Sequence, residues 1–175
     1  SSRDGIHFNR WGEAFIRPGP RRDRWINRNN MPAWGLLQTQ AGPGLPDEIS
    51  LFASEGYYTP ANRLRRLTVR VDGFVSVHAG FKGGQIVTKP LTFKGRELAM
   101  NFSTSAAGSV AVEMQDETGK PLPGRSLKDC PDIYGDSIEQ VVRWSDGSDV
   151  SRFAGKRVRL RFVLKDADLY AIRFR

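Results

Sequence analysis

From Glu48 onward the chain is written in short runs of period two, and that rhythm constrains the fold more than any other feature. The clearest run is Arg157 to Lys165, where Val158, Leu160, Phe162 and Leu164 alternate with Arg157, Arg159, Arg161 and Lys165. Successive side chains of a β-strand point to opposite faces, so this pattern buries one face and wets the other. Ile49 to Phe52, Glu97 to Phe102, Ser109 to Gln115 and Ser137 to Trp144 read the same way, with Trp144 on the apolar face of its run. Further strands are expected at Arg63 to Val71, where Leu64, Leu67, Val69 and Val71 stand against arginines, and at Phe74 to Val77, Gln85 to Thr88, Leu91 to Phe93 and Leu169 to Phe174. Turn residues separate them, among them Asp72-Gly73, Lys94-Gly95 and Asp116 to Gly119. No window has a helical period. Short alternating strands with regular turns predict an all-β fold, an antiparallel β-sandwich of jelly-roll-like type.

Residues 1–47 differ. They are rich in Arg, Asn, Pro, Gly and Trp, lack long periodic runs, and hold too little apolar material to bury a core alone. Short strands are expected around Ile6 and Phe8 after the Asp4-Gly5 turn, at Ala14 to Ile16, and at Trp34 to Thr39. The organisation read from composition is an irregular N-terminal extension, 1–47, followed by a β-sandwich domain, 48–175.

The 175 residues carry 27 Lys and Arg against 19 Asp and Glu, a formal charge of +8. Such a balance favours anionic partners, whether nucleic acid, membrane surface or acidic polysaccharide. Strand alternation by itself also places arginines outward, where they keep a sheet soluble and discourage edge pairing. An outward row repeats at about 7 Å, a spacing that suits sulfates or carboxylates along a polymer. Nucleic-acid binding has no recognisable motif here. No apolar run approaches the roughly 18 residues that a membrane helix needs, so no membrane role is expected. The chain has no starting Met and no signal-like segment, reads as a mature or excised piece, and does not encode its compartment.

Phosphate loops, nucleophile elbows and His-Glu-x-x-His helices are absent from the sequence. Cys130, the single cysteine, excludes a disulfide framework and reads as a small buried hydrophobe. His78 reads as a surface or packed residue. No catalytic residue and no cofactor are assigned. Asp129, Asp132 and Asp136 cluster in an irregular segment and offer oxygen ligands for a structural Ca²⁺, although their spacing matches no EF-hand loop. Aromatic residues outside the alternating runs are the stronger signal. Sugar rings stack flat C–H faces on aromatic side chains, and their hydroxyls take Asn, Asp, Glu or Arg partners. Tyr57 and Tyr58 beside Glu55 and Arg63 form such a mixture, as does Trp25 among Arg24, Asn27 and Arg28; Trp34 is a further candidate.

Ser2-Arg3-Asp4-Gly5-Ile6-His7-Phe8 resembles the S-x-D-G-x-x-F strand-turn signature in the blades of β-propeller glycoside hydrolases and sialidases. The runs Leu64 to Leu67, Asp72 to Ser76, Thr88 to Leu91, Gly124 to Asp136 and Lys165 to Tyr170 look like the β-sandwich that follows such a propeller. The whole is similar to the fructan- and arabinan-cleaving propeller enzymes with a C-terminal sandwich. That resemblance implies that residues 1 to about 50 end a last blade. It places the catalytic carboxylates in earlier blades, so none is carried by this chain.

Two functions follow as expectations. The first is a non-catalytic carbohydrate-binding module of a polysaccharide-degrading protein, taking a polysaccharide or oligosaccharide that is neutral, acidic or sulfated. The second is a structural accessory domain of a glycoside hydrolase, bracing a preceding propeller domain that holds the active site. Either favours an extracellular or periplasmic location. The position of the aromatics discriminates between them: rings facing solvent favour sugar, buried rings favour bracing.

Overall fold

The computed structural model describes residues 1–2, 4–25 and 31–175. It is all-β, with two antiparallel sheets and, among the described residues, no α-helix. The chain divides into two compact units, Ser1–Val69 and Arg70–Arg175. The composition changes at position 48, whereas the division into compact units falls at 69/70.

In the first unit, strand β3 (Asp47–Glu55) is the organiser. It pairs antiparallel with β2 (Leu37–Gln40) over Asp47 to Ser50 and with β1 (Met31–Pro32) at Ala53 and Ser54. Strand β4 (Arg63–Arg70) also pairs with β3. Among the described residues of this unit, Leu51 and Ala53 are the buried apolar ones. The strand expected at Ala14 to Ile16 is a bend instead, and around Ile6 and Phe8 the pairing shrinks to one bridge, Ser2 with Phe8. Asp4 tightens that turn by accepting the backbone N–H groups of Ile6 and His7 at 2.9 and 2.8 Å. The His7 side chain and these two N–H groups hold its carboxyl far below the usual range.

The second unit holds the main core. Strand β7 (Leu98–Gln115) runs antiparallel to β9 (Arg159–Phe174), with β8 (Asp136–Val141) on β7 and with β5 (Val77–Ala79) and β6 (Gly84–Val87) on β9. Two runs expected as four strands are thus two long ones. Leu98, Met100, Phe102, Val110, Val112 and Met114 from β7 meet Leu160, Phe162, Leu164, Ala167 and Leu169 from β9 in one apolar cluster. Trp144 and Cys130 join it, as their sequence contexts implied. The Trp144 indole N–H donates to Val112 O at 2.9 Å, and burial pushes the Cys130 thiol up.

The long ladder slips register twice, between Asn101 and Phe102 and between Thr104 and Ser109. Each slip resets the alternation, so the inward set, starting at Val158 just before β9, runs 158, 160, 162, 164, then 167 and 169, then 172 and 174. Extra residues at such β-bulges bend and twist the strand. The sheet curls around one core in this way, giving a sandwich-like unit. The corner is tight: a Cβ on Gly108 would lie 2.4 Å from Asp166 O, and Asp166 itself takes φ +43°.

Arg157, Arg159 and Arg161 lie outside the core face, as the alternation predicts. Leu64 is a departure. It is 69% exposed, because β4 turns Arg63 and Arg65 toward Glu55 instead.

Removing the Phe162 side chain leaves a cavity in the middle of the cluster, and Phe162→Ala is expected to cost about 3–5 kcal/mol. Arg157, whose partner is an exposed Glu117 3.3 Å away, is the control. Arg157→Ala is expected to change stability by less than about 1 kcal/mol. Urea denaturation of the two variants checks both.

Candidate functional site

The described aromatic and polar residues expected to form a site lie in the first unit, and a buried carboxylate organises several of them. Glu55 ends β3 at 3% exposure. Its Oε2 accepts Arg63 Nε at 3.1 Å and lies 3.2 Å from Arg24 Nε, while its Oε1 accepts Arg65 Nη1 at 2.7 Å. Asp23 extends the network, taking Arg21 Nη2 at 2.9 Å and Arg63 Nη1 at 3.4 Å. A buried charge without partners is costly, and three guanidinium groups answer that cost here. Burial pushes the Glu55 carboxyl up, but the bond from Arg65 and the charges of Arg24 and Arg65 outweigh it and hold it below the ordinary glutamate range. Glu55 therefore stays ionised and fully engaged, a poor proton donor at neutral pH.

The turn between β3 and β4 is fixed by backbone geometry. Gly56 has φ +63°, and a Cβ there would meet Ala61 O at 2.8 Å. Thr59 Oγ1 donates to Gly56 O at 2.6 Å. The two tyrosines sit on this turn with ring centroids 4.1 Å apart. Tyr58, itself at φ +63°, is 84% exposed, while Tyr57 is half-buried.

Arg24 ties the network to the segment before it, since its Nη1 donates to Pro18 O at 3.3 Å. The next residue, Trp25, donates its indole N–H to Gly19 O at 2.8 Å, which sets the plane of the ring and leaves it 52% exposed. Beside it lies an open cavity of about 420 Å³ lined by Glu13, Ala14, Arg17, Pro18, Gly19 and Trp25. The Arg17 guanidinium donates to the Glu13 carboxylate along its edge. An oriented indole, a small apolar floor and a polar pair can take one sugar ring.

The fold thus brings together Glu55, Arg63, Tyr57 and Tyr58, with Trp25 linked through Arg24. Trp34 is fully exposed and joins none of these contacts. Arg28 lies outside the described residues. Arg24, Arg65, Asp23, Glu13 and Arg17 were not singled out as site residues. Arg65 was findable, because Arg63 and Arg65 share one face of a strand; the reach of Arg24 to Glu55 spans too much sequence to be read from spacing.

The aspartates named for calcium do not gather. Asp129 accepts the Ser126 N–H and hydroxyl at 2.9 and 2.7 Å, Asp136 pairs with Arg70 at 2.5 Å, and Asp132 is exposed. Among the described residues no three His, Cys, Asp or Glu side chains form a metal-holding group. In the second unit, Ser76 Oγ and His78 Nδ1 both reach Asp168 Oδ1, at 2.6 and 3.1 Å. The serine donates to the carboxylate and not to the imidazole, so the trio lacks the nucleophile–base bond of a hydrolase triad.

Comparison with models of known protein families, with curated proteins and with solved structures finds no match.

Glu55→Gln removes the charge that three arginines share. Because Arg63 and Arg65 are more than a third exposed, the loss is discounted to roughly 2 kcal/mol at pH 7. The Glu55 carboxyl is lower in the folded protein than unfolded, so its contribution is complete above the ordinary glutamate value, about 4.3. It fades as the pH falls through the depressed folded value. The gap between wild type and Glu55→Gln in urea melts is therefore expected to be widest near neutrality and to close on acidification.

Proposed function

We propose that this chain is a non-catalytic, carbohydrate-binding all-β module of a polysaccharide-degrading protein. The observation that carries the reading is the cavity at Trp25, where an exposed indole is held in orientation beside the Glu13–Arg17 pair. The pyranose or furanose C–H face stacks on the indole, and ring hydroxyls take the carboxylate as acceptor and the guanidinium as donor. Tyr58 and Trp34 present further rings to solvent on the same unit. Of the two expectations for the aromatics, solvent-facing rings are the ones that favour sugar.

A second reading has its own observation. The first unit also exposes aliphatic and aromatic side chains with no hydroxyl chemistry, among them Ile6, Phe8, Leu36, Leu37, Leu45 and Leu64. Apolar surface of that kind supports a structural accessory domain braced against a preceding propeller domain of a glycoside hydrolase. The turn geometry of Asp4 is compatible with the blade signature it resembles.

Retention on a panel of neutral and acidic polysaccharides, read by affinity electrophoresis, tests the first reading. Trp25→Ala is expected to weaken retention at least tenfold, about 1.4 kcal/mol, with folding unchanged by circular dichroism. Full retention in Trp25→Ala, or none by the wild type on any glycan, overturns it in favour of bracing.

A further inference from the structure

The positive charge of this protein is divided by residue type. Every ion pair among the described residues is made by an arginine or a histidine, and none by a lysine. The outward arginines at and just before β9 suggest, as a bare row, a track for a polyanion, but most are answered: Arg157 by Glu117, Arg161 by Glu113 at 3.5 Å, and Arg173 by Glu139, with Arg159 left without an ion pair. The described arginines Arg10, Arg22, Arg143 and Arg159 also lack an ion pair, so the unpaired charge is that of the lysines together with these four.

Two of those lysines meet in one hollow of the second unit. Phe81, Lys82, Gln85, Leu127, Arg161 and Lys165 are the principal walls of an open cavity of about 610 Å³, floored by Val163 and closed by the Gly83-Gly84 backbone. The hollow exists because β5 and β6 pair with different stretches of β9, so the loop between them stands out at the corner where β9 bends. Gly83 makes the turn at φ +77°, its N–H donating to Gly80 O at 2.9 Å, and the loop lifts Phe81 into solvent at 67% exposure. Lys165 Nζ lies 4.8 Å from the Phe81 ring centroid, which steadies the ammonium beside the ring. Arg161 directs Nε and Nη2 at Gln85 Oε1, at 3.0 and 2.7 Å, and its charge is offset by the buried Glu113. Lys82 and Lys165 remain as a net charge of two beside an exposed aromatic face.

We infer that this hollow is a binding site for an anionic sugar residue, with the ring stacked on Phe81 and its carboxylate or sulfate held by Lys82 and Lys165. The inference deepens the carbohydrate reading by naming an acidic glycan as the ligand class, but it stands on a different unit and on none of the residues at Trp25. A single ring wall, a volume suited to one or two sugar units and an Arg161 already paired with Glu113 favour a point anion on a saccharide. A nucleic acid would instead use a continuous run of free cations and several rings.

Titration calorimetry of the whole chain tests this with oligogalacturonate as the carboxylate probe, a sulfated galactan oligosaccharide as the sulfate probe, neutral galactan oligosaccharide as control and a single-stranded oligonucleotide as competitor. Binding of one or both acidic probes is expected to exceed the neutral control at least tenfold and to weaken with added salt. Lys82→Ala with Lys165→Ala, and separately Phe81→Ala, should each lower acidic-probe affinity tenfold or more, whereas Arg157→Ala should leave it unchanged. These side chains are exposed, so the variants are expected to fold, which circular dichroism verifies. Equal affinity for neutral and acidic probes, indifference to the lysine and Phe81 changes, or tighter binding of the oligonucleotide through the same lysines overturns the inference. Loss of neutral-glycan retention in Trp25→Ala alongside indifference at Phe81 leaves the module reading intact and removes only this site. Acidic binding lost with the lysines upholds the site, and glycan retention left unchanged by Trp25→Ala removes the Trp25 reading alone.

Discussion

Everything in the second unit depends on the ladder between β7 and β9 keeping its apolar side inward while it bends. A flat ribbon of this length would have no second layer to cover its greasy face. Two register slips solve the problem in the covalent sequence itself, each adding unpaired residues that turn the strand and shift its phase. The core then closes between parts of one sheet, from Leu98 and Phe102 near one end to Leu160 and Met114 near the other. The hollow at Phe81 is a by-product of the same bend, since the loop beside it fills the gap where the edge strands change partners.

The first unit is stabilised differently. Its buried apolar residues are few, and Glu55 with its arginines occupies the place that hydrophobic packing holds in the second unit. Such a network contributes little net free energy compared with apolar packing, but it is geometrically demanding, because each guanidinium must meet the carboxylate in register. That demand is useful for a binding site. Arg24 cannot reach Glu55 without also fixing where Pro18 and Trp25 lie, so the oriented ring and the buried charge form one construction.

Much of the fold was legible because a strand reports its environment every second residue. The inward set of Val158, Leu160, Phe162 and Leu164 needed only that rule, as did the burial of Trp144. The rule fails where phase slips. Around Lys165-Asp166 and again at Tyr170 the alternation breaks, which reads as a gap between strands when it is a bulge within one. It fails also at Leu64, where ion pairing outweighs apolar burial and the arginines take the inner side. Of the site, the residue types and the Glu55–Arg63 neighbourhood were visible, and Arg65 follows from sharing a strand face with Arg63. Arg24 was not, since a contact spanning about thirty residues leaves no mark in local spacing. The aspartates named for calcium show the converse case: nearness in sequence is not convergence when Asp129 turns to Ser126, Asp136 to Arg70, and Asp132 stands exposed.

A net charge of +8 invites an electrostatic account of function, and the ion pairs change what that charge means. An arginine already paired with a carboxylate keeps N–H groups that can donate to a neutral hydroxyl, but it offers an anion little net charge, and exchanging one carboxylate for another gains almost nothing. Arginine suits the internal task because its planar donors hold a carboxylate in a defined geometry; lysine, a hydrated point charge on a flexible stem, is left at the surface with its charge unspent. The unpaired cations that an approaching anion meets are then the lysines and the few arginines without a carboxylate, and a concave wall shared by two of them is where their attraction adds. In the second unit that place is the Phe81 hollow, where the fold supplies an aromatic face at the same point. Counting basic residues would have spread the attraction along the whole sheet. Following each guanidinium to its partner removes most of the arginine row and leaves the Phe81 hollow as a place where two unpaired lysines meet an aromatic ring.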